Sequence, residues 1–299
     1  MTRFSADWLG LREPFDHAAR EAAAAALNLP GWLARWREEA TGQPLGVVDL
    51  ACGTGSNLRA LMPRLGRAQR WRLLDHDPAL LAALPDALAH WAQGQRYQFA
   101  LEDVEGSSRT VHVTGPDFAA EITCHRVDLA RDLSTLDLAA TQLVTASALL
   151  DLVSLPWLQA LVRRARGVRA ALLFALNVDG RTTWDPADRG DAAVQRLFGQ
   201  HQHRDKGFGP ALGPQAPAIT LQHLASAGYE TRQTQTDWLI DGAGSAAMQL
   251  AVIEGTAAAA LEQEPSAQGV VESWKARRVA STGATRLRVG HTDIMGTLA

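Results

Sequence analysis

Val47-Val48-Asp49-Leu50-Ala51-Cys52-Gly53-Thr54-Gly55-Ser56-Asn57 is the stretch on which the reading of this chain turns. Residues 45–50 are mostly apolar and predict a buried strand, while Leu58-Arg59-Ala60-Leu61 opens a helical pattern. Between them Gly53 and Gly55 allow a tight turn and put no side chain between backbone and ligand. The helix then starts with free N–H groups facing whatever lies above the turn. A strand, a small-residue turn and a helix start make a nucleotide-type binding corner. The third glycine of the dinucleotide fingerprint is absent, because Leu58 stands at its position. Asp49, at the strand end, repels a pyrophosphate and suits a ligand with a cationic amino group and no phosphate.

From Val47 to Gly55 the stretch resembles the first motif of class I S-adenosylmethionine-dependent methyltransferases, an acid followed by a glycine-rich turn. Ala51 stands where that family often has its first glycine, and its small size is expected to cost no binding. The resemblance covers about residues 45–176. It implies a Rossmann-like α/β sheet, mostly parallel, with seven strands of which the last is antiparallel, and helices on both faces. It also implies S-adenosylmethionine as cofactor, held at the corner by Asp49, Ala51, Cys52, Gly53, Gly55 and Asn57.

The segments that follow extend this pattern. Trp71-Arg72-Leu73-Leu74 predicts a second strand ending at Asp75-His76-Asp77-Pro78. An acid there takes both ribose hydroxyls, and Asp75, with His76 beside it, matches the family's ribose acid. Asp77 reads as the N-cap of a helix over 78–92, with Pro78 in its first position. The third strand, 120–127, ends in Asp128 and Leu129, which the resemblance assigns to the adenine amino group and ring; capping of the next helix is the other role open to Asp128. A fourth strand, 142–146, leads into Ser147-Ala148-Leu149-Leu150-Asp151. The resemblance puts Ala146 and Ser147 beside the sulfonium and methionine portion; Asp151 is open to three roles, meeting the acceptor, meeting the donor's amino group, or capping a turn.

Outside this region the pattern is looser. Residues 1–42 read as an N-terminal helical cap, in which Asp16 caps an alanine-rich helix and Pro30-Gly31 separates it from a second. Trp8, Arg12 and Phe15 are placed to close over the cofactor, with Arg12 facing the methionine carboxylate, or to pack on the sheet edge. The domain proper is 43–299, with a hairpin insertion at 95–118 turning at Glu105-Gly106-Ser107-Ser108 and a helical insertion at 244–282. A helix over 155–166 precedes a fifth strand, 168–176, and then a long loop, 177–186, that carries Trp184. After a helix over 191–200, the polar loop His201-Gln202-His203-Arg204-Asp205-Lys206 overhangs the crevice. Its imidazoles supply bases and its cations hold an anionic acceptor, so Trp184, His201, His203, Arg204 and Lys206 are the substrate candidates. Residues 229–239 predict the sixth strand and 285–295 the seventh, which carries His291 and Asp293 without an assigned role.

Composition bounds the function. The 299 residues are 46% apolar and 20% charged, which indicates a globular chain with a large core. A net charge of −3 argues against general nucleic-acid binding, and the arginines at 163–169 read as a solvated helix end. Two cysteines, Cys52 and Cys124, make neither a disulfide framework nor a metal spacing, and no metal is expected; a reducing, cytoplasmic setting is. The first residues lack the apolar core of a signal peptide, and no run is long enough to span a bilayer. The expected activity is methyl transfer to a small-molecule acceptor, with His201, His203 and Asp151 as catalytic candidates. The rivals are a non-catalytic S-adenosylmethionine-binding partner and, opposed by the missing third glycine, a nicotinamide-dependent oxidoreductase.

Overall fold

A computed structural model describes residues 5–23, 25–40, 42–102 and 109–298. Two helices come first, α1 (Ala6–Ala23) and α2 (Leu29–Glu39). The glycine corner then joins β1 (Leu45–Leu50), buried along its whole length, to α3 (Ser56–Leu65). Burial on both faces is the signature of a central parallel strand, and β1 pairs in parallel with β2 (Arg67–Asp75) on one side and β6 (Leu143–Ser147) on the other. After β2 come α4 (Pro78–Gln95), the antiparallel pair β3 (Gln98–Glu102) and β4 (Thr110–Thr114), then β5 (Phe118–Arg126) and the short α5 (Leu129–Asp132). The expected turn at 105–108 lies outside the described residues. The rest comprises α6 (Leu155–Gly167), β7 (Ala171–Asp185), α7 (Asp191–Gln202), α8 (Ala216–Ser226), β8 (Glu230–Gln235), β9 (Trp238–Ile240), α9 (Ala246–Gln263), α10 (Gln268–Ala280) and β10 (Arg286–Thr297).

Among the described residues ten strands form one sheet, in the order β3-β4-β5-β2-β1-β6-β7-β10-β8, with β9 also paired to β10. Without the β3–β4 hairpin and β9, seven core strands remain. All are parallel except β10, which runs antiparallel between β7 and β8. Two apolar layers cover the two faces of the sheet. One joins α2, α3 and α4 to Trp71 and Leu73; the other joins α6 and α8 to Val144, Leu172 and Phe174. A separate cluster, built on Val194, Ile253, Val271 and Trp274, holds α7, α9 and α10 together.

Four sequence expectations are corrected. Residues 177–186 are not a loop: β7 continues to Asp185 because the first half of β10 pairs with it, from Arg286 opposite Asp185 to Val289 opposite Thr182. The sixth strand is split into β8 and β9, both on β10. Asp16 does not cap a helix; it lies inside α1, where its buried carboxylate accepts from Trp238 Nε1 at 2.9 Å and Arg12 Nε at 2.8 Å. Pro30 and Gly31 do not lie between helices but form the first turn of α2, Pro30 being tolerated there because its missing N–H has no helical partner.

Candidate functional site

The crevice lies outside the carboxyl ends of β1, β2, β5, β6 and β7, where open α/β sheets take ligands. At its centre the corner turns through three residues with positive φ, Ala51 at 53°, Gly53 at 55° and Gly55 at 84°. Gly55 sits at the start of α3, and no side chain caps that helix. Its first N–H groups therefore stay available, as an anion or polar ligand needs.

Asp49 is completely buried below this turn. Asn57 Nδ2 donates to its Oδ1 at 2.7 Å, while its Oδ2 has no partner among the described residues. Burial pushes the carboxyl up to about 7, against the pull of Asn57 and Arg20. Asn57 also donates to Thr145 Oγ1 at 3.1 Å and accepts from Arg20 of α1 at 2.8 Å. The buried Arg20 lies 3.7 Å from Asp293 on β10 as well. Asp293 Oδ1 in turn takes the N–H of Leu176 at 2.7 Å and the hydroxyl of Thr236 at 2.6 Å. Leu176 stands in a bulge of β7, between the pairs Phe174–Ile294 and Asn177–Thr292. One arginine thus ties the corner, through Asp293, to the bulge in β7.

Asp75 is already engaged on both oxygens. Its Oδ2 accepts from Gly53 N at 2.8 Å and its Oδ1 from Asp77 N at 2.9 Å. His76 beside it is exposed, with Nδ1 3.5 Å from Asp75 Oδ1. Asp77 caps α4 through Ala79 N at 2.8 Å. Asp128 caps α5 through Ala130 N at 3.1 Å and stays partly exposed, while Leu129 beside it is buried. Cys52 is buried; Ala146 and Ser147 form the end of β6.

Asp151 follows β6. It is buried, its Oδ1 has no partner among the described residues, and burial raises its carboxyl to about 6 against the pull of Arg12 and Lys206. Arg12 is oriented by Asp16 and lies over the Trp238 ring, 5.4 Å from its centroid. The polar run was expected as a loop from His201, but His201 and Gln202 form the last turn of α7 because the helix continues to Gln202, and only the residues from His203 on form the turn that follows. Lys206 Nζ donates to His201 Nδ1 at 3.3 Å, which leaves His201 Nε2 to face Glu262 of α9 at 3.2 Å. His203 is exposed, with Nδ1 3.3 Å from the Ala211 carbonyl, and Arg204 pairs with Glu262 at 3.1 Å. Trp184 is turned to the helical insertion, under the Arg278 guanidinium and edge-on to Trp274. The charges of Arg12 and Lys206 thus both act on the buried Asp151 carboxyl, while Arg204 is paired with Glu262 and Trp184 with Arg278.

His291 was given no role by the sequence. Its Nδ1 lies 3.0 Å from the Val289 carbonyl, which only accepts, so the hydrogen sits on Nδ1 and Nε2 is a bare acceptor. Its ring lies 4.5 Å from that of Trp238, and burial with the Arg12 charge pushes it down to about 4. Arg20, Trp238 and Asn177, whose Oδ1 is also buried without a partner among the described residues, were equally unannounced. No local spacing could have found them, since their partners lie on elements distant in sequence.

Among the described residues the buried oxygens without partners include Asp49 Oδ2 in β1, Asp151 Oδ1 after β6 and Asn177 Oδ1 within β7, and also Gln202 Oε1 on α7 and Thr220 Oγ1 on α8. Unmet acceptors of this kind call for a donor-bearing or cationic ligand. Among the described residues no group of three or more His, Cys, Asp or Glu side chains is placed to hold a metal, and no helix is long and apolar enough to cross a membrane.

No family model matches the chain, and no curated protein does. Solved structures do. A cyclopropane-fatty-acyl-phospholipid synthase-like protein from Lactobacillus casei aligns over 98% of this chain and 94% of its own, at 14% identity and a TM-score of 0.52. A possible exported protein from Bordetella parapertussis aligns over 98% and 70%, at 18% identity and a TM-score of 0.43. Magnesium protoporphyrin IX methyltransferase from Synechocystis, solved with bound SAH, aligns over 79% and 83%, at 14% identity and a TM-score of 0.40. The first likeness establishes a common fold and nothing finer.

Proposed function

We propose that this protein is an S-adenosylmethionine-dependent methyltransferase acting on a small-molecule acceptor. The observation that carries the reading is an uncapped glycine corner with an unmet carboxyl oxygen of Asp49 beneath it and another, of Asp151, after the neighbouring strand. A pyrophosphate would meet buried carboxyl groups there; a ligand with an ammonium and a sulfonium meets the partners it lacks. The residues present fit the cofactor. Backbone N–H groups of the corner and α3 and the free lone pairs of Asp75 serve its ribose side, Asp128 and Leu129 its adenine, and Ala146, Ser147 and Arg12 its methionine end. When bound, the cofactor supplies an already activated methyl group. The protein's own task is to align the acceptor, exclude water and dispose of a proton.

The acceptor enters between α1 and the turn after α7. That turn is stapled to the segment after β6, since Gly213 N donates to the Asp151 carbonyl at 2.9 Å and Leu212 N to that of Val153 at 2.8 Å. Calorimetry tests the assignment: S-adenosylmethionine and S-adenosylhomocysteine should bind and NAD should not. Tight NAD binding with none of the sulfonium compound would overturn it.

A further inference from the structure

Resting on the methyltransferase reading, we propose that Asp151 takes the proton released in the reaction, and that the acceptor is accordingly protic, carrying its nucleophile as O–H or N–H. The argument starts from position. Asp151 follows the strand next to the one that bears the glycine corner, on a backbone fixed from the other side by Gly213. Its carboxyl is buried, yet Oδ1 is bonded to nothing among the described residues. The charged groups that face it come from two elements. Arg12 arrives from α1, paired to Asp16; Lys206 arrives from the turn after α7, beside His201, with Glu262 and Arg204 beyond. A carboxylate serving structure alone would close onto one of these donors. Here neither cation forms an ion pair with it among the described residues, and one oxygen is buried without a hydrogen-bond partner.

Other candidates for the proton are weaker. His291, at about 4, is too weak a base to keep a second proton on Nε2 near neutrality. His201 is spent between Lys206 and Glu262. Asp49 is fixed by Asn57 beneath the corner, on the cofactor's side. Asp151, at about 6, lies near the working pH, where a base is most effective. Methyl transfer to X–H yields X–CH3, a thioether in place of the sulfonium, and one proton. That proton passes from X to Asp151 Oδ1 and then to water. A thioether or aromatic ring nitrogen as acceptor would deliver no proton and leave this carboxylate idle.

Binding calorimetry at pH 6, in two buffers of different ionisation enthalpy, tests the placement without turnover. The sulfonium charge lowers the proton affinity of a carboxylate facing it. S-adenosylmethionine should therefore release up to ~0.5 proton more than S-adenosylhomocysteine. Asp151→Asn should remove most of that difference while keeping the S-adenosylhomocysteine affinity of a folded protein. Lys206→Met should move the pH of release upward, because a cation that favours ionisation is lost. Equal proton counts in wild type and Asp151→Asn would overturn the proposal; failure of S-adenosylmethionine to bind at all would instead sink the methyltransferase reading. With deuterium-labelled methyl donor, label is expected in phenol or aniline and at least ~100-fold less with Asp151→Asn. Label in dimethyl sulfide or pyridine at a comparable rate would overturn the protic class. If none of the four probes is labelled, the proton count decides.

Discussion

Single residues of the corner combine binding with backbone duty, and this changes what their substitution should do. Ala51 sits in the left-handed region at φ 53°, where a Cβ costs about 1–2 kcal/mol relative to glycine. Small size alone, the sequence argument for tolerating it, misses this strain. Ala51→Gly should raise stability by about 1 kcal/mol in denaturant unfolding, part of the relief being offset by the entropy of an added glycine. Asp75→Ala removes the acceptor for two backbone N–H groups, so it should lower stability by about 1.5–3 kcal/mol as well as weaken cofactor binding. A loss of affinity with unchanged stability would show that water replaces the carboxylate at Gly53 and Asp77. Asp49 and Asp151 titrate with folding. Both carboxyls are raised in the folded protein, to about 7 and about 6, so their protonated forms favour folding. That contribution is complete below the unfolded value near 4 and fades as pH rises through 6 to 7. Asp49→Asn should therefore raise the melting temperature of the cofactor-free protein by a few degrees at pH 8 and change it little at pH 4.

At the scale of elements, α1 is joined to the sheet by a buried polar chain and not only by apolar contact. Arg20 bridges Asn57 at the corner and Asp293 at the bulge, and Asp16 receives Trp238. Breaking a buried pair by removing one partner costs about 3–5 kcal/mol, because the other charge is left uncompensated. Arg20→Met should cost that order of stability and loosen α1, seen as faster amide exchange from residues 6–23 than from β1. Arg20→Met combined with Asp293→Asn should recover part of the loss, whereas strict additivity would show that the two groups do not interact. β7 teaches a related lesson. Residues 177–185 are polar and carry Gly180, so their pattern favours a loop. They extend as a strand because β10 supplies a ladder for them, with a bulge that lets Asp293 take the Leu176 N–H.

Across the whole molecule, the helical insertion packs with α7 into an apolar cluster of its own while α9 also reaches the sheet, through Met248 and through Gln249 Nε2, which donates to the Ile240 carbonyl. Trp274 is buried at the centre of the cluster formed by α7, α9 and α10, and its indole N–H reaches Asp191 at 2.8 Å. Asp188 receives both ends of the Arg277 guanidinium, at 2.7 and 2.8 Å, which holds its carboxyl well below the usual range. Trp274→Ala should cost about 3–5 kcal/mol in this unit, while S-adenosylmethionine affinity, which resides on the other strand ends, should change less than threefold. A large loss of affinity would mean that the insertion supports the cofactor crevice directly. By itself the sequence determined the corner, the alternation of strands and helices through residue 176, the cap at Asp77, and the two helices of the insertion, while at Asp128 it left capping and an adenine contact both open. These are local: a strand buried on both faces, a glycine turn and an amphipathic helix write their period into consecutive residues. Only the tertiary structure decided the length of β7, the splitting of β8 from β9, the commitment of His201 to Glu262, and the stacking of His291 and Arg12 against Trp238. Each depends on a partner that is distant in sequence, as Asp16 is from Trp238 by 222 positions. Hydrogen bonds and buried charges across such distances leave no periodic trace in the chain, and the sheet alone brings their members together.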